Sequence, residues 1–339
     1  MPQAPATRNL IEFMAELPLL RFEPILREAL WGGRRLAELG KALGGGENYS
    51  ESWEIVDHGA DQSVVVDGPL AGATLHDLVT DHGESLLGRH QGRKQFPLLV
   101  KFLDCQRTLS VQVHPNDAQA ARLNPPDSGK TEAWVIVATE PGSQIYAGLK
   151  PGVDRSDLER AVAKGECEKC LHAFEPKAGD CVFIEAGTVH ALGAGLLVAE
   201  IQQASDTTFR LFDWNRIDRD GRPRPLHIQE SLDTIDYRRG PVDRIVPCPG
   251  ERPHVERLVA CDKFILERWQ IETPQPLDLE DRFHIVAVVE GEVSVRAGVK
   301  QSRLRRGDTL LIPACTREVQ FMPQGRAVLL DTYLPAEMA

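Results

Sequence analysis

The stretch KAGDCVFIEAGTVHALGAGLLVAEIQQ (177–203) decides the fold. It contains two short apolar runs, DCVFIEAG (180–187) and GLLVAEIQQ (195–203), each punctuated by glycine or aspartate, the pattern of buried strands joined by turns. Working outward, FPLLVKFLD (96–104), LSVQVHP (109–115) and EAWVIVATEPG (132–142) read the same way. Many short strands predict a β-barrel or sandwich. DRSDLERAVAKGE (154–166) carries apolar residues at helical spacing and predicts a surface helix. The N-terminal third mixes a helical piece in WGGRRLAELGKAL (31–43) with a strand in SVVVDGPL (63–70).

A Pro-rich stretch, VPCPGERPH (246–254), interrupts this pattern and is the best linker candidate. Beyond it, CDKFILERWQI (261–271), RFHIVAVVEGEVSVRAG (282–298), RRGDTLLIPA (305–314) and GRAVLLDTYL (325–334) again alternate strand and turn. GDTLLIPA echoes GDCVFIEAG, each a Gly-Asp turn entering a strand, which suggests an internal repeat. With 339 residues and about 150 per domain, the expected division is 1–245 and 246–339. The expected fold is mainly β: two β-barrel (jelly-roll) domains with a few peripheral helices.

The composition, 42% hydrophobic and 26% charged, is that of a globular protein. A net charge of −11 repels nucleic acid and anionic lipid, so neither is an expected partner. No apolar run approaches the roughly 20 residues of a transmembrane helix. The start, MPQAPATRNLIEFMAEL, lacks a basic region followed by an apolar core, and the seven cysteines are an odd number. Reduced thiols and a cytoplasmic location are expected.

Four residues can close around one metal: Gln112 and His114 in VQVHP, Glu132 in GKTEAW, and His190 in AGTVHALG. Gln112 and His114 are two apart on a strand and so share a face. Two imidazoles, a carboxylate and an amide suit a borderline cation such as zinc, leaving room for substrate. The run from Gly179 through Glu185, Ala186 and Gly187 to His190 resembles the second cupin motif, with Glu185 where that family usually has proline. The Gln112/His114 pair with Glu132 resembles the first motif, Gln112 replacing its commoner histidine. In the C-terminal echo, Gly307, Pro313 and Ala314 match, but Cys315 stands for Gly187 and Glu318 for His190. The second half is therefore expected to be metal-free.

LLVKFLDCQRTLSVQVHP, GKTEAWVIV and KAGDCVFIEAGTVHALGAGLLVAEIQQASDTTFRLFDWNR, with WGGRRL and ESWEI more loosely, resemble the type I mannose-6-phosphate isomerases in their short bacterial form. The resemblance covers most of residues 20–235. It implies one zinc per chain on Gln112, His114, Glu132 and His190, and polar catalytic residues at Lys101, Lys130, Asp206 and Arg210. It further implies interconversion of mannose 6-phosphate and fructose 6-phosphate through a cis-enediol. Gly129 departs from longer bacterial relatives, which carry a histidine there.

Arg210, with several donors and no tendency to deprotonate, is the candidate for holding enediolate or sugar oxygens. Lys130 lies two before Glu132 and faces the same way on a strand, while Lys101 interrupts a buried run where an unpaired ammonium is costly. Ser110 and Trp53 are candidates for substrate contact, as is Trp31 for the cavity wall. The base for the carbon-bound proton is open between a desolvated lysine, Asp206 and a zinc-bound hydroxide. CEKC (167–170) reads as an exposed helical segment without a metal role, and LDLEDR (277–282) as a solvated loop. Two other classes fit the same residues: an Fe(II) dioxygenase, and a non-enzymatic sugar-phosphate-binding barrel. Monomer and homodimer are both compatible with the sequence.

Overall fold

A computed structural model describes residues 17–217 and 221–336. The leader reading rests on the first 17 residues, and positions 1–16 lie outside the described part. Among the described residues, no helix is long and apolar enough to cross a membrane.

The residues of the metal-ligand motifs fall in a unit made of Pro24–His58 and Leu98–Val246. Its larger sheet is antiparallel, with strands in the order Ile25–Gly33, Tyr49–Ile55, Leu98–Cys105, Leu196–Gln203, Glu132–Thr139 and Cys181–Ile184. The two central strands, Leu98–Cys105 and Leu196–Gln203, are buried at every residue, which is why they read as continuous runs and not as alternations. A second sheet runs Phe209–Phe212, Val111–Val113, His190–Leu192, Ile145–Leu149, Leu171–Phe174. Trp134, Ile136, Val182 and Val198 of the first sheet pack with Ile145, Ala147 and Leu192 of the second in one core.

A second core lies on Val111, Val113 and Ala191, where Leu158 and Leu232 from two helices reach the smaller sheet. The helix expected from 154 is Arg155–Ala163; Asp154 and Asp157 cap each other's backbone N–H at its start. CEKC forms a 3₁₀ turn in the same core. Cys167 and Cys170 are buried in it, so the expectation of exposure is corrected: the two thiols are the apolar face of the turn.

The other unit contains the described residues up to Glu23, Gly59–Pro97 and the chain from Pro247. Its strands run Cys248–Pro249, Val255–Ala260, Ile265–Ile271, Ala327–Tyr333, His284–Glu290, Thr309–Ile312 in one sheet, and Gln275–Leu277, Val319–Pro323, Glu292–Ala297, Lys300–Arg305 in the other. The Pro-rich linker candidate thus includes both the junction after Val246 and an edge strand. Residues 59–97 pack here because helix Leu75–Leu87 ends against the C-terminal segment. Ala314 and Cys315 donate backbone N–H groups to Leu86 and Ser85 at 3.0 and 2.9 Å. Gly88, at φ +56°, has no room for a side chain: a Cβ would stand 2.3 Å from the Asp281 carbonyl oxygen. The compact units are therefore not the contiguous halves expected from the linker.

Three further differences are local. Hydrogen bonding leaves two separate sheets in each unit, and no closed barrel forms among the described residues. Val64 and Val65 make isolated bridges instead of a strand through 63–70, since Gly68–Leu70 turns away as a 3₁₀ segment. In LDLEDR, Glu280 and Asp281 are exposed, but Leu279 and Arg282 are buried.

The Gly-Asp echo is a structural one. Gly179 and Gly307 take φ of +88° and +90°, and Asp180 and Asp308 each accept the N–H three residues back at 2.8 Å. Five residues beyond each glycine, Ile184 pairs with Glu132 and Ile312 with His284.

Candidate metal centre and cavity

Gln112 is flanked on the smaller sheet by His190 on one side and Arg210 on the other, so the three side chains project to one face. His114 follows on that face, its carbonyl accepting from Gly187 N at 2.8 Å. Glu132 arrives from the larger sheet, between Ile184 and Gln202. Ligand atoms of His114, Glu132 and His190 lie within 4.8 Å of one another, all three residues being buried. This is the one such group of His, Cys, Asp or Glu among the described residues. At Glu132's place the second unit has His284, whose Nδ1 is tied to Asp331 at 2.9 Å.

The tautomers are set from behind. His114 Nδ1 lies 2.9 Å from the Thr207 carbonyl oxygen, and His190 Nδ1 lies 2.9 Å from that of Thr188. Each Nδ1 therefore carries the proton, and each Nε2 turns a lone pair toward Glu132 at 3.4 Å. His114 Nε2 and both Glu132 oxygens are buried without a hydrogen-bond partner. Burial holds His114 well below the ordinary histidine range, with Lys130 adding to the effect, and lowers His190 to about 4. Burial also raises Glu132. Three lone-pair donors facing one another without a proton between them fit a cation. Gln112 Nε2 is 3.3 Å from His190 Nε2, and the amide turned over would present its oxygen to the same place.

A cavity of about 320 Å³ reaches this group through Gln112 and Lys130, while His114, Glu132 and His190 themselves do not line it. Lys101, Ser110, Gln112, Lys130, Asp206 and Arg210 all line it, as does Trp31. Trp53 is not a lining residue: its ring lies 4.4 Å from Lys101 Nζ, and its Nε1 donates to Glu51 at 2.6 Å. Arg210 Nη1 donates to the Pro225 carbonyl at 2.8 Å, and its Nε is buried without a partner. Lys130 Nζ stands 3.6 Å from Glu132. Glu185, at the usual cupin proline, is exposed and pairs with Arg239. Gly129 has a steric cause: a Cβ there would meet Asp117 N at 2.5 Å, so this backbone has no room for a side chain.

Three charged lining residues escaped the sequence reading: Glu51, Glu200 and Arg224. Lys101 lies 3.3 Å from Glu51 and 3.8 Å from Glu200. Burial alone would depress the lysine, but these carboxylates hold it above its ordinary range. Burial likewise opposes ionisation of Glu51, yet Lys101 and the Trp53 N–H keep it below the ordinary range. Glu200 is pushed up to about 7 by burial and by Glu132. Glu51 had a signal, since it alternates with Trp53 on one strand, and so did Glu200, a carboxylate inside the apolar run LLVAEIQQ. Arg224 had none; Asp213 positions it through bonds of 2.6 and 2.8 Å.

Sheets of this kind around a two-histidine, one-carboxylate group define a cupin-type protein, and residues 254–330 match the model "Mannose-6-phosphate isomerase, cupin domain". Residues 19–136 match "Phosphomannose isomerase type I, catalytic domain". The chain is 34% identical to mannose-6-phosphate isomerase ManA of Bacillus subtilis over 304 residues, covering 87% of this chain and 92% of that protein. It is 34% identical to the mannose-6-phosphate isomerase of Streptococcus mutans, with the same coverage of both. The crystal structure of the Bacillus subtilis mannose 6-phosphate isomerase superposes with a TM-score of 0.86 at 29% identity, covering 93% of this chain and 99% of that one. The chain belongs to the type I phosphomannose isomerase family.

Proposed function

We propose that this enzyme interconverts mannose 6-phosphate and fructose 6-phosphate in the cavity beside His114, using one zinc ion held by His114, Glu132, His190 and Gln112. The observation that carries the reading is the meeting of unpartnered lone pairs at the edge of a cavity lined by Lys101, Lys130, Arg210 and Arg224. We read the paired sheets of each unit as jelly rolls of the cupin kind. A ferrous ion would accept the same ligands, but a wall whose four cations outnumber its three carboxylates, with Arg210 and Arg224 among them, suits a phosphorylated sugar better than an oxygenase substrate.

Bound zinc would supply a Lewis acid to the sugar oxygens. In the forward direction, the proton on C2 leaves, the C1 carbonyl becomes a hydroxyl, and a proton returns to C1 as the C2 oxygen becomes the carbonyl. Lys101, held protonated by its carboxylates, serves better as a fixed positive charge than as a base. Glu200, near 7, is the lining carboxyl suited to exchanging a proton at neutral pH. Arg210 and Arg224 supply cationic donors for the phosphate or the enediolate oxygens. Four buried cysteines, all free, suit a reducing, cytoplasmic setting.

The test is a coupled assay for fructose 6-phosphate after chelation and after zinc is returned. Activity should vanish and recover; turnover indifferent to chelation would sink the metal reading. Iron occupancy without isomerase turnover would favour the oxygenase, and ligand-induced thermal stabilisation without turnover the binding protein. Arg210→Ala should lower kcat by roughly 10²–10³-fold if the guanidinium stabilises transition-state charge. A change in KM alone would remove that role.

A further inference from the structure

Asp127 belongs to the loop before Lys130 and does not line the cavity. Its carboxylate nevertheless gathers four groups from three parts of the chain. Oδ1 accepts from Ser128 N at 2.8 Å and lies 3.0 Å from His58 Nε2. Oδ2 accepts from Ser205 Oγ at 2.8 Å and Thr207 Oγ1 at 2.6 Å. Burial disfavours its charge, yet His58 and the two hydroxyls hold it well below the ordinary carboxylate range, so it is an anion throughout the working pH.

The Thr207 end of this hub reaches the metal group. The residue whose hydroxyl binds Asp127 is the one whose carbonyl takes the Nδ1 proton of His114. The same loop carries Asp206 and Thr208 on the cavity wall. The Thr207 carbonyl is the hydrogen-bond partner of His114 Nδ1, so the aim of the ring's Nε2 depends on where Thr207 is held.

We propose that Asp127 is a positioning residue for the metal centre: by clamping Ser205 and Thr207 it fixes the carbonyl that sets the tautomer and direction of His114. The proposal rests on the metal reading above. Partners one step behind a ligand typically change metal affinity by about 10–100-fold, and Asp127 acts through one more residue, so the lower end is expected.

The experiment uses the full chain loaded with zinc and challenged with a chromophoric chelator. Asp127→Ala should hold zinc about ten-fold less tightly, and Asp127→Asn, which keeps an acceptor oxygen, should recover part of the loss. Thr207→Val removes the hydroxyl but keeps the carbonyl, and should weaken zinc in the same direction. The Asp127→Ala/Thr207→Val double variant should be no weaker than Asp127→Ala, because the two act in series. Thr74→Ala, which uncaps helix Leu75–Leu87 in the other unit, serves as the control for general destabilisation: a lower thermal midpoint with unchanged zinc affinity. Wild-type affinity in Asp127→Ala, or additive losses in the double variant, would overturn the proposal. Failure of the wild-type chain to take up zinc would instead overturn the metal reading, and this proposal with it.

Discussion

Glu132→Gln is expected to reduce isomerase turnover by at least about 10³-fold, because it removes the only formal charge among the four candidate ligands while changing almost no volume. The amide can still occupy the space, but it offers a cation one neutral oxygen in place of a carboxylate. Metal content after gel filtration should fall in parallel. In wild type, both oxygens of Glu132 are buried without hydrogen-bond partners, and burial raises the carboxyl's pKa. A buried group in that state opposes folding. Lys130, 3.6 Å away, offsets part of that cost in wild type, so metal-free Glu132→Gln should lose much less stability than Lys101→Met does. Full activity, or a large loss of apo stability, would contradict the assignment of Glu132 as a ligand kept for function.

The second large effect is on stability. Lys101 has 4% of its side chain exposed, lies between Glu51 and Glu200, and rests on the face of Trp53. Lys101→Met keeps the length and apolar stem but leaves the buried Glu200 and the half-buried Glu51 without this cation. Breaking a buried pair from one side costs about 3–5 kcal/mol. Chemical unfolding of the chelated protein should show a lowered midpoint on that scale. Adding Glu51→Gln should restore much of the loss, since it removes the charge left unpaired, while leaving activity low. A Lys101→Met protein as stable as wild type would mean that the carboxylates simply take up protons, and the ion pair would then contribute little.

The cluster of His114, Glu132 and His190 was legible in the sequence because strand periodicity placed Gln112 and His114 on one face and because the turn from Gly179 to His190 has a fixed length. The sequence made Lys101 and Lys130 legible for a related reason: charge inside an apolar run demands an explanation. What it concealed depends on pairing between distant strands. Glu51 becomes a partner of Lys101 only when Tyr49–Ile55 lies beside Leu98–Cys105, and no local pattern states that adjacency. Arg224 and Asp127 sit in irregular segments, where side-chain direction has no period to betray it. The compact units were misread for another reason. A Pro-rich stretch marks a real junction near 246, but the attachment of residues 59–97 is made by a helix end and a glycine pressed against a distant carbonyl. The buried thiols of CEKC illustrate the same limit, since spacing describes a turn but not what covers it.

The repeated Gly-Asp turn and its matching register mean that the same frame closes twice, once around a ligand cluster and once with His284 tied to Asp331. On the proposed metal reading, an ion in the first unit would be a lodger and no part of its skeleton, since the second unit forms the same frame without the cluster. Occupancy is then governed by the cell's supply of divalent metals, and a stronger competitor in the Irving–Williams order can replace a weaker one without unfolding the chain.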